Sequence, residues 1–279
     1  MNILSDVSET AIITLRARTI ETQKHTPVIR DDVSLICLEK IRHLLPEETR
    51  MRLLDNRMSP TLSSYIALLA RKYDSYVREF LTNYPDGLVV SLGSGFDTRY
   101  WRVSDKAWKY IEVDLPNVIE AKKEILQDRM TYRTIEGSVL EDQWITDILA
   151  VQNQHILFLA EGLFMYLPQK QVEVLFKKLS DSFLNSGIVF ETVNKKYTQG
   201  LWKKSVESKM KRSAGTTAGA SYQFGLKSAK EIESFGKHIK VVEEWSYFED
   251  ADVEPKVLWH FRNLKFFTRT QWTIKATIG

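Results

Sequence analysis

The stretch Leu88-Val89-Val90-Ser91-Leu92 stops abruptly at Gly93-Ser94-Gly95, and no other segment narrows the choice of fold so far. A short, uninterrupted apolar run ending in glycines reads as a strand buried on both faces, and such strands belong to parallel sheets covered by helices. Four more runs of this kind follow: Tyr110 to Asp114, Tyr132 to Ile135, His155 to Ala160 and Gly187 to Glu191. Two further strand candidates close the chain, near Lys240 to Trp245 and Phe266 to Ile274. Helical spacing falls between the runs over 117–126, 145–151 and 169–183. This alternation predicts βαβ units in an α/β fold, a seven-stranded and mostly parallel sheet with helices on both faces.

The segment before the first strand is helical in pattern. Ser5 and Ser8 are candidate N-caps for a stripe through Ile12, Ile13 and Leu15, and Ile36, Leu38, Ile41 and Leu45 keep helical spacing. Pro60 opens a longer run with Tyr65, Leu68, Leu69, Tyr73 and Val77 on one face. The turn signal Tyr84-Pro85-Asp86-Gly87 then separates an N-terminal helical cap, residues 1–84, from a core over 85–279. Residues 195–230 are polar, basic and rich in small side chains, which predicts a helical insertion lying above the sheet as a lid. The small residues around Gly215 and Gly219 are its expected moving part.

Charge and cysteine usage exclude several classes. A formal net charge of +3 in 279 residues is too weak to argue for a nucleic-acid partner. One cysteine, Cys37, cannot form an internal disulfide, so a reducing, cytoplasmic setting is expected. No secretory signal pattern and no apolar stretch of about 20 residues is present, so no membrane association is expected. The sequence carries no signal for an oligomeric state or for a metal site.

A glycine turn after the first strand of an α/β sheet lets a ligand approach the backbone at the carboxyl end of that strand. An acid ending the second strand, here Asp114, can accept hydrogen bonds from two ribose hydroxyls. Dinucleotides would use the same features, but their pyrophosphate would meet Asp97, and the third glycine of that motif is replaced by Thr98. An S-adenosylmethionine ligand has no phosphate and carries an amino group and a sulfonium, so an acid near it is acceptable. Asp97 and Arg99 are also placed to pair with each other and stiffen the loop.

Three blocks, LGSGFDTRYWR, YIEVDLPNVIEAKKEIL and LAEGLFMYLP, together with SETAIITLRART near the start, resemble the leucine carboxyl methyltransferase family, which includes bacterial tetracenomycin-type polyketide O-methyltransferases. The similarity covers roughly residues 8 to 275, with the blocks in the family's order and spacing. It implies a Rossmann-like class I methyltransferase fold and S-adenosylmethionine as cofactor. By the same resemblance, Gly93 and Gly95, with Ser94 between them, meet the methionine part of the cofactor, and Asp114 binds its ribose. Ser138 and Val139 fall at the adenine, although many members carry aspartate where this chain has Ser138. Glu161 matches an acid beside the cofactor and Tyr166 follows it at the family spacing, while Arg71 is the candidate for the cofactor carboxylate. The family's DPxA-like segment is Asp31-Asp32-Val33-Ser34 here, without the proline.

The implied activity is O-methylation of a small-molecule carboxylate. Alternatives are methylation of a protein C-terminal carboxylate and a non-catalytic cofactor-binding protein. No histidine sits in a pattern that requires a base, and an ionised carboxylate acceptor needs none. No residue is therefore assigned as catalytic.

Overall fold

A computed structural model describes residues 9–104, 108–204 and 221–279. Seven strands form one sheet: β1 (Leu88–Leu92), β2 (Lys109–Asp114), β3 (Arg133–Glu136), β4 (Ile156–Ala160), β5 (Ser186–Val193), β6 (Ile239–Trp245) and β7 (Gln271–Ile278). Their order is β3-β2-β1-β4-β5-β7-β6. The pairs from β3 to β5 are all parallel, and β7 runs antiparallel between β5 and β6. The strand order reverses between β1 and β4, and the crevice at their carboxyl ends is where ligands bind in open α/β sheets.

The apolar runs become strands because helices cover both faces. β1 and β4 are buried along their whole length. One face presents Leu88, Val90, Leu92, Phe158 and Phe190 to α7 (Gln143–Leu149) and α8 (Gln169–Ser182), through Trp144, Ile148, Leu175 and Leu179. The other presents Val89, Leu157, Leu159 and Val189 to Leu68, Tyr73 and Val77 of α4 (Pro60–Asn83). Strict alternation of faces along each strand accounts for this division. Pro60 sits in the first turn of α4, where its missing N–H costs nothing. Gly87 N–H donates to Tyr84 O at 2.8 Å to close the turn into β1.

The remaining N-terminal helices are α1 (Glu9–Thr22), α2 (Asp32–Leu44) and α3 (Glu47–Arg50). The expected stripe residues Ile12, Ile13, Leu15 and Ile41 pack with Cys37, with Phe96 of the β1 turn, and with Ala121 and Ile125 of α6 (Pro116–Leu126). Ser5 and Ser8, expected as caps, lie outside the described residues. The last strand departs from expectation. Phe266 and Phe267 read as strand residues by their β propensity, yet 265–268 form a helical turn and β7 starts at Gln271. The eight-residue pairing of β7 with β5, from Val193 opposite Gln271 to Ser186 opposite Ile278, sets that boundary, and tertiary pairing outweighs propensity.

Of the insertion, Lys195–Thr198 form a 3-10 turn and Leu226 bridges Asn194 beside β5. Gln223 and Phe224 N–H groups both donate to Met165 O, so its far end rests on the loop after β4. Gly215 and Gly219 lie outside the described residues. No helix is long and apolar enough to cross a membrane, and no metal-ligating cluster occurs, among the described residues.

Candidate cofactor site

The turn after β1 is shaped by two left-handed glycines, Gly93 (φ +61°) and Gly95 (φ +49°). At Gly93 a Cβ would stand 2.7 Å from Leu163 Cδ1, and at Gly95 it would stand 3.1 Å from Ala11 Cβ. Both positions favour glycine for their left-handed conformation, and a side chain would also crowd Leu163 and Ala11. Gly93→Ala is expected to lower stability by about 1–2 kcal/mol from the positive φ alone, as measured by chemical denaturation.

Asp114 binds the same turn from the next strand. Its Oδ2 accepts from Gly95 N–H at 2.7 Å and its Oδ1 from Leu115 N–H at 2.7 Å. Burial pushes its carboxyl above the ordinary aspartate value, against the opposing pull of those two N–H groups. Each oxygen keeps a lone pair for a further donor. Gly137 N–H donates to Asp114 O at 2.9 Å, which brings Ser138 and Val139 alongside. The Ser138 hydroxyl accepts from Leu140 N–H at 3.2 Å, and Val139 is buried with its carbonyl held by Trp144 Nε1 at 3.1 Å. A buried Ser94 hydroxyl in the glycine turn has no hydrogen-bond partner.

An ion network surrounds the turn. Arg99, whose side chain is 1% exposed, donates to Asp74 at 2.8 Å, to Glu161 at 2.6 Å and to Asp97. Arg102, one turn further along α5 (Arg99–Val103), reaches Asp74 at 2.9 Å, Asp31 at 2.9 Å and Asp97 at 3.3 Å. Arg18 of α1 completes it, with Asp31 at 2.9 Å and Phe96 O at 2.6 Å. Asp31 is the N-cap of α2 and accepts from Ser34 N–H at 3.0 Å. Burial alone would push Asp97 and Asp31 up, but the guanidiniums hold both below the usual carboxylate range. The expected Asp97–Arg99 pair is thus one link of a larger array.

The array holds Arg18, Arg99 and Arg102 against Asp31, Asp74, Asp97 and Glu161, an excess of one carboxylate. Glu161 is its most open member, at 22% exposure. A buried array left one positive charge short of balance favours a cationic ligand at that end. The orphaned Ser94 hydroxyl, the glycine cradle and the unbalanced acid together fit a ligand with hydroxyl, amino and sulfonium groups.

The other expected residues divide. Tyr166 ends the loop after β4, its hydroxyl pushed up to about 12 by burial and its ring 5.8 Å from that of Tyr222. Hydrogen bonds bring Gly93, Gly95, Asp114 and Ser138 together, and Arg99 joins Glu161 to them through Asp97. Arg71 is engaged elsewhere, with Asp250 at 2.7 Å and Asp252 at 2.8 Å. It would have to release one of these to meet a cofactor carboxylate. If it stays with them, Arg71→Ala is expected to leave S-adenosylhomocysteine affinity unchanged, read by isothermal titration, and a loss of about tenfold or more would place it at the cofactor.

Arg18, Asp74 and Arg102 of this array stand in no site motif of their own. The i, i+3 spacing of Arg99 and Arg102 on one helical face was an available signal for a shared set of acids.

A family model described as leucine carboxyl methyltransferase matches residues 11–180. The tetracenomycin polyketide synthesis O-methyltransferase TcmP of Streptomyces glaucescens is 28% identical over 266 residues, covering 92% of this chain and 90% of its own. The S-adenosyl-L-methionine-dependent methyltransferase dpfgK of Gibberella zeae is 28% identical over 194 residues, covering 66% of this chain and 64% of its own. A solved SAM-dependent methyltransferase from Anabaena variabilis superposes with a TM-score of 0.51 at 10% identity, over 92% of this chain and all of that one, which shows the shared fold.

Proposed function

The chain belongs to the leucine carboxyl methyltransferase family and is an S-adenosylmethionine-dependent methyltransferase, and from that premise we propose that it methylates an oxygen of a small-molecule carboxylate. The unbalanced acid at Glu161, linked through Arg99 and Asp97 to the glycine turn that Asp114 holds, supports this placement of the cofactor. When bound, S-adenosylmethionine supplies a methyl group already activated on a sulfonium.

In this reading Gly93 and Gly95 admit the methionine part, Asp114 accepts the ribose hydroxyls, and the Ser94 hydroxyl gains its missing partner. Glu161, oriented by Arg99, faces the cationic groups. Val139 and the backbone around Ser138 pack the adenine, because the Ser138 hydroxyl is occupied by its own turn. Tyr166 closes the site on the β4 side. The residues thus align donor and acceptor and exclude water, and an ionised acceptor oxygen needs no proton removed.

The same reading makes residues 1–84 a cap on a core of 85–279, with 195–230 as a lid. Its support is that Arg18 and Asp31 tie α1 and α2 to the glycine turn and that Met165 O holds Gln223 and Phe224. A covered site of this kind suits a small molecule better than a protein tail. The single buried thiol and the weak net charge support a cytoplasmic setting without nucleic-acid partners.

Isothermal titration with S-adenosylhomocysteine and with NAD is the first test of the cofactor site. The homocysteine form should bind and NAD should not. Radiolabelled methyl transfer to paired carboxylates and alcohols then tests the acceptor, and turnover of alcohols alone would overturn the carboxylate reading.

A further inference from the structure

Glu191 stands near the carboxyl end of β5 much as Asp114 ends β2, yet the cofactor site does not use it. Its neighbour Phe190 pairs with Ala160, the last residue of β4, so Glu191 lies one step beyond that strand, on the ligand-binding side of the sheet. The residue is 2% exposed. Gln271 Nε2 donates to Oε1 at 2.7 Å, and Gly162 N–H also donates to the carboxyl. No basic side chain pairs with it among the described residues.

Gly162 directly follows Glu161 and is exposed, with φ +63°. A Cβ there would stand 4.0 Å from Glu191 Oε2, an ordinary contact, so this oxygen lies directly beneath the exposed Gly162 backbone. A cluster with aromatic rings lies alongside, reached through Gln271, whose Nε2 is also 3.8 Å from Met165 Sδ. Met165, Val193, Tyr197 and Tyr222 form one apolar cluster, with Tyr166 packed against it.

A carboxyl without a cation in apolar surroundings favours its neutral form. Neutral, it is an O–H donor that attracts an anionic oxygen; ionised, it would repel one. We propose that Glu191 keeps its proton and donates a hydrogen bond to the carboxylate of the methyl acceptor, selecting an aromatic acid that packs against Tyr166 and Tyr222. This inference rests on the carboxylate reading of the preceding section. No proton moves in the transfer: one acceptor oxygen takes the methyl group as the carbon–sulfur bond breaks, and Glu191 holds the other oxygen.

Burial pushes Glu191 up to about 8, against the opposing effect of Gln271 and Gly162. Among the described residues the titratable group facing it is Tyr222, with Tyr166 behind that ring, both hydroxyls raised by burial, and Glu161 lies beyond Gly162, held by Arg99. The neighbouring Gln271 and Thr273 carry no charge. The unfolded chain releases this proton at the ordinary glutamate value while the folded chain retains it, so rising pH across that window lowers stability. Glu191→Gln should therefore melt higher than wild type near pH 8, with the difference vanishing in acid.

Infrared difference spectra of the full chain, wild type minus Glu191→Gln, test the proton directly. A protonated-carboxyl band near neutral pH, lost with a midpoint near 8, is expected; its absence overturns the proposal. Radiolabelled transfer to benzoate and 1-naphthoate, against phenol and 1-naphthol, tests the role. Wild-type KM for the carboxylates should rise about tenfold one pH unit above the midpoint. Glu191→Gln should lose that rise, since an amide donates without titrating. A rate that climbs through pH 8 and disappears in Glu191→Gln would make the residue a general base and overturn the proposal. Carboxylate turnover with a flat KM removes only Glu191's role, whereas phenol turnover with both carboxylates inert removes the carboxylate reading itself.

Discussion

Asp114→Ala is expected to weaken S-adenosylhomocysteine binding by about a hundredfold to ten-thousandfold. The carboxylate would lose two hydrogen bonds to ribose hydroxyls, each worth about 1.5–3 kcal/mol when the acceptor is charged. The same substitution removes the acceptor of Gly95 N–H and Leu115 N–H, so the glycine turn loosens as well. Asp114→Asn separates these contributions. Its single remaining oxygen can hold one backbone N–H while the amide end presents a donor where the ribose also presents one. Asparagine should therefore preserve the melting temperature better than alanine while binding almost as poorly. Isothermal titration beside thermal melts reads both quantities. Unchanged affinity in Asp114→Ala would remove the ribose assignment and with it the orientation of the cofactor in the crevice.

Asp114 was legible because strand-ending acids and glycine turns depend on local pattern. The boundaries of β1 were read to the residue, since Leu88 to Leu92 are all apolar or small and glycine stops the run. β4 was also read within a residue, for the same reason of burial on both faces. β7 was not, because two aromatics in a helical turn imitate a strand and only pairing with β5 distinguishes them. The ion network was less legible still. Arg18 and Phe96 stand 78 residues apart, and nothing local tells that the arginine of α1 will be buried. Glu191 had a signal that went unused: it closes the fifth apolar run as Asp114 closes the second. What set the two apart was the glycine turn, which stands beside the end of β2 and gives Asp114 a backbone to hold.

Arg99→Met is expected to destabilise the fold more than any change at the glycine turn. Methionine matches the aliphatic length of arginine but leaves Asp74, Asp97 and Glu161 without the cation all three share. Removing one partner of a buried ion pair costs roughly 3–5 kcal/mol, and here Arg102 can offset part of the loss because it also reaches Asp74 and Asp97. For a chain of this size such a loss lowers the melting temperature on the order of 10 °C. The dependence on pH gives the sharper test. In the wild type, Asp97 is held below its ordinary value, so its contribution is fully present above about pH 4 and is lost as acid protonates it in the folded state. Without Arg99 the strongest opposing charge is gone and burial counts for more, so Asp97 protonates at higher pH than in the wild type even with Arg102 still in reach. The deficit of Arg99→Met should thus be largest near neutral pH and shrink on mild acidification. Cofactor affinity should fall with it, because Glu161 loses the group that orients it. A deficit that stays constant between neutral and mildly acidic pH would mean that packing around Tyr73, whose ring lies 5.4 Å from the guanidinium, outweighs charge in holding the N-terminal helices to the turn.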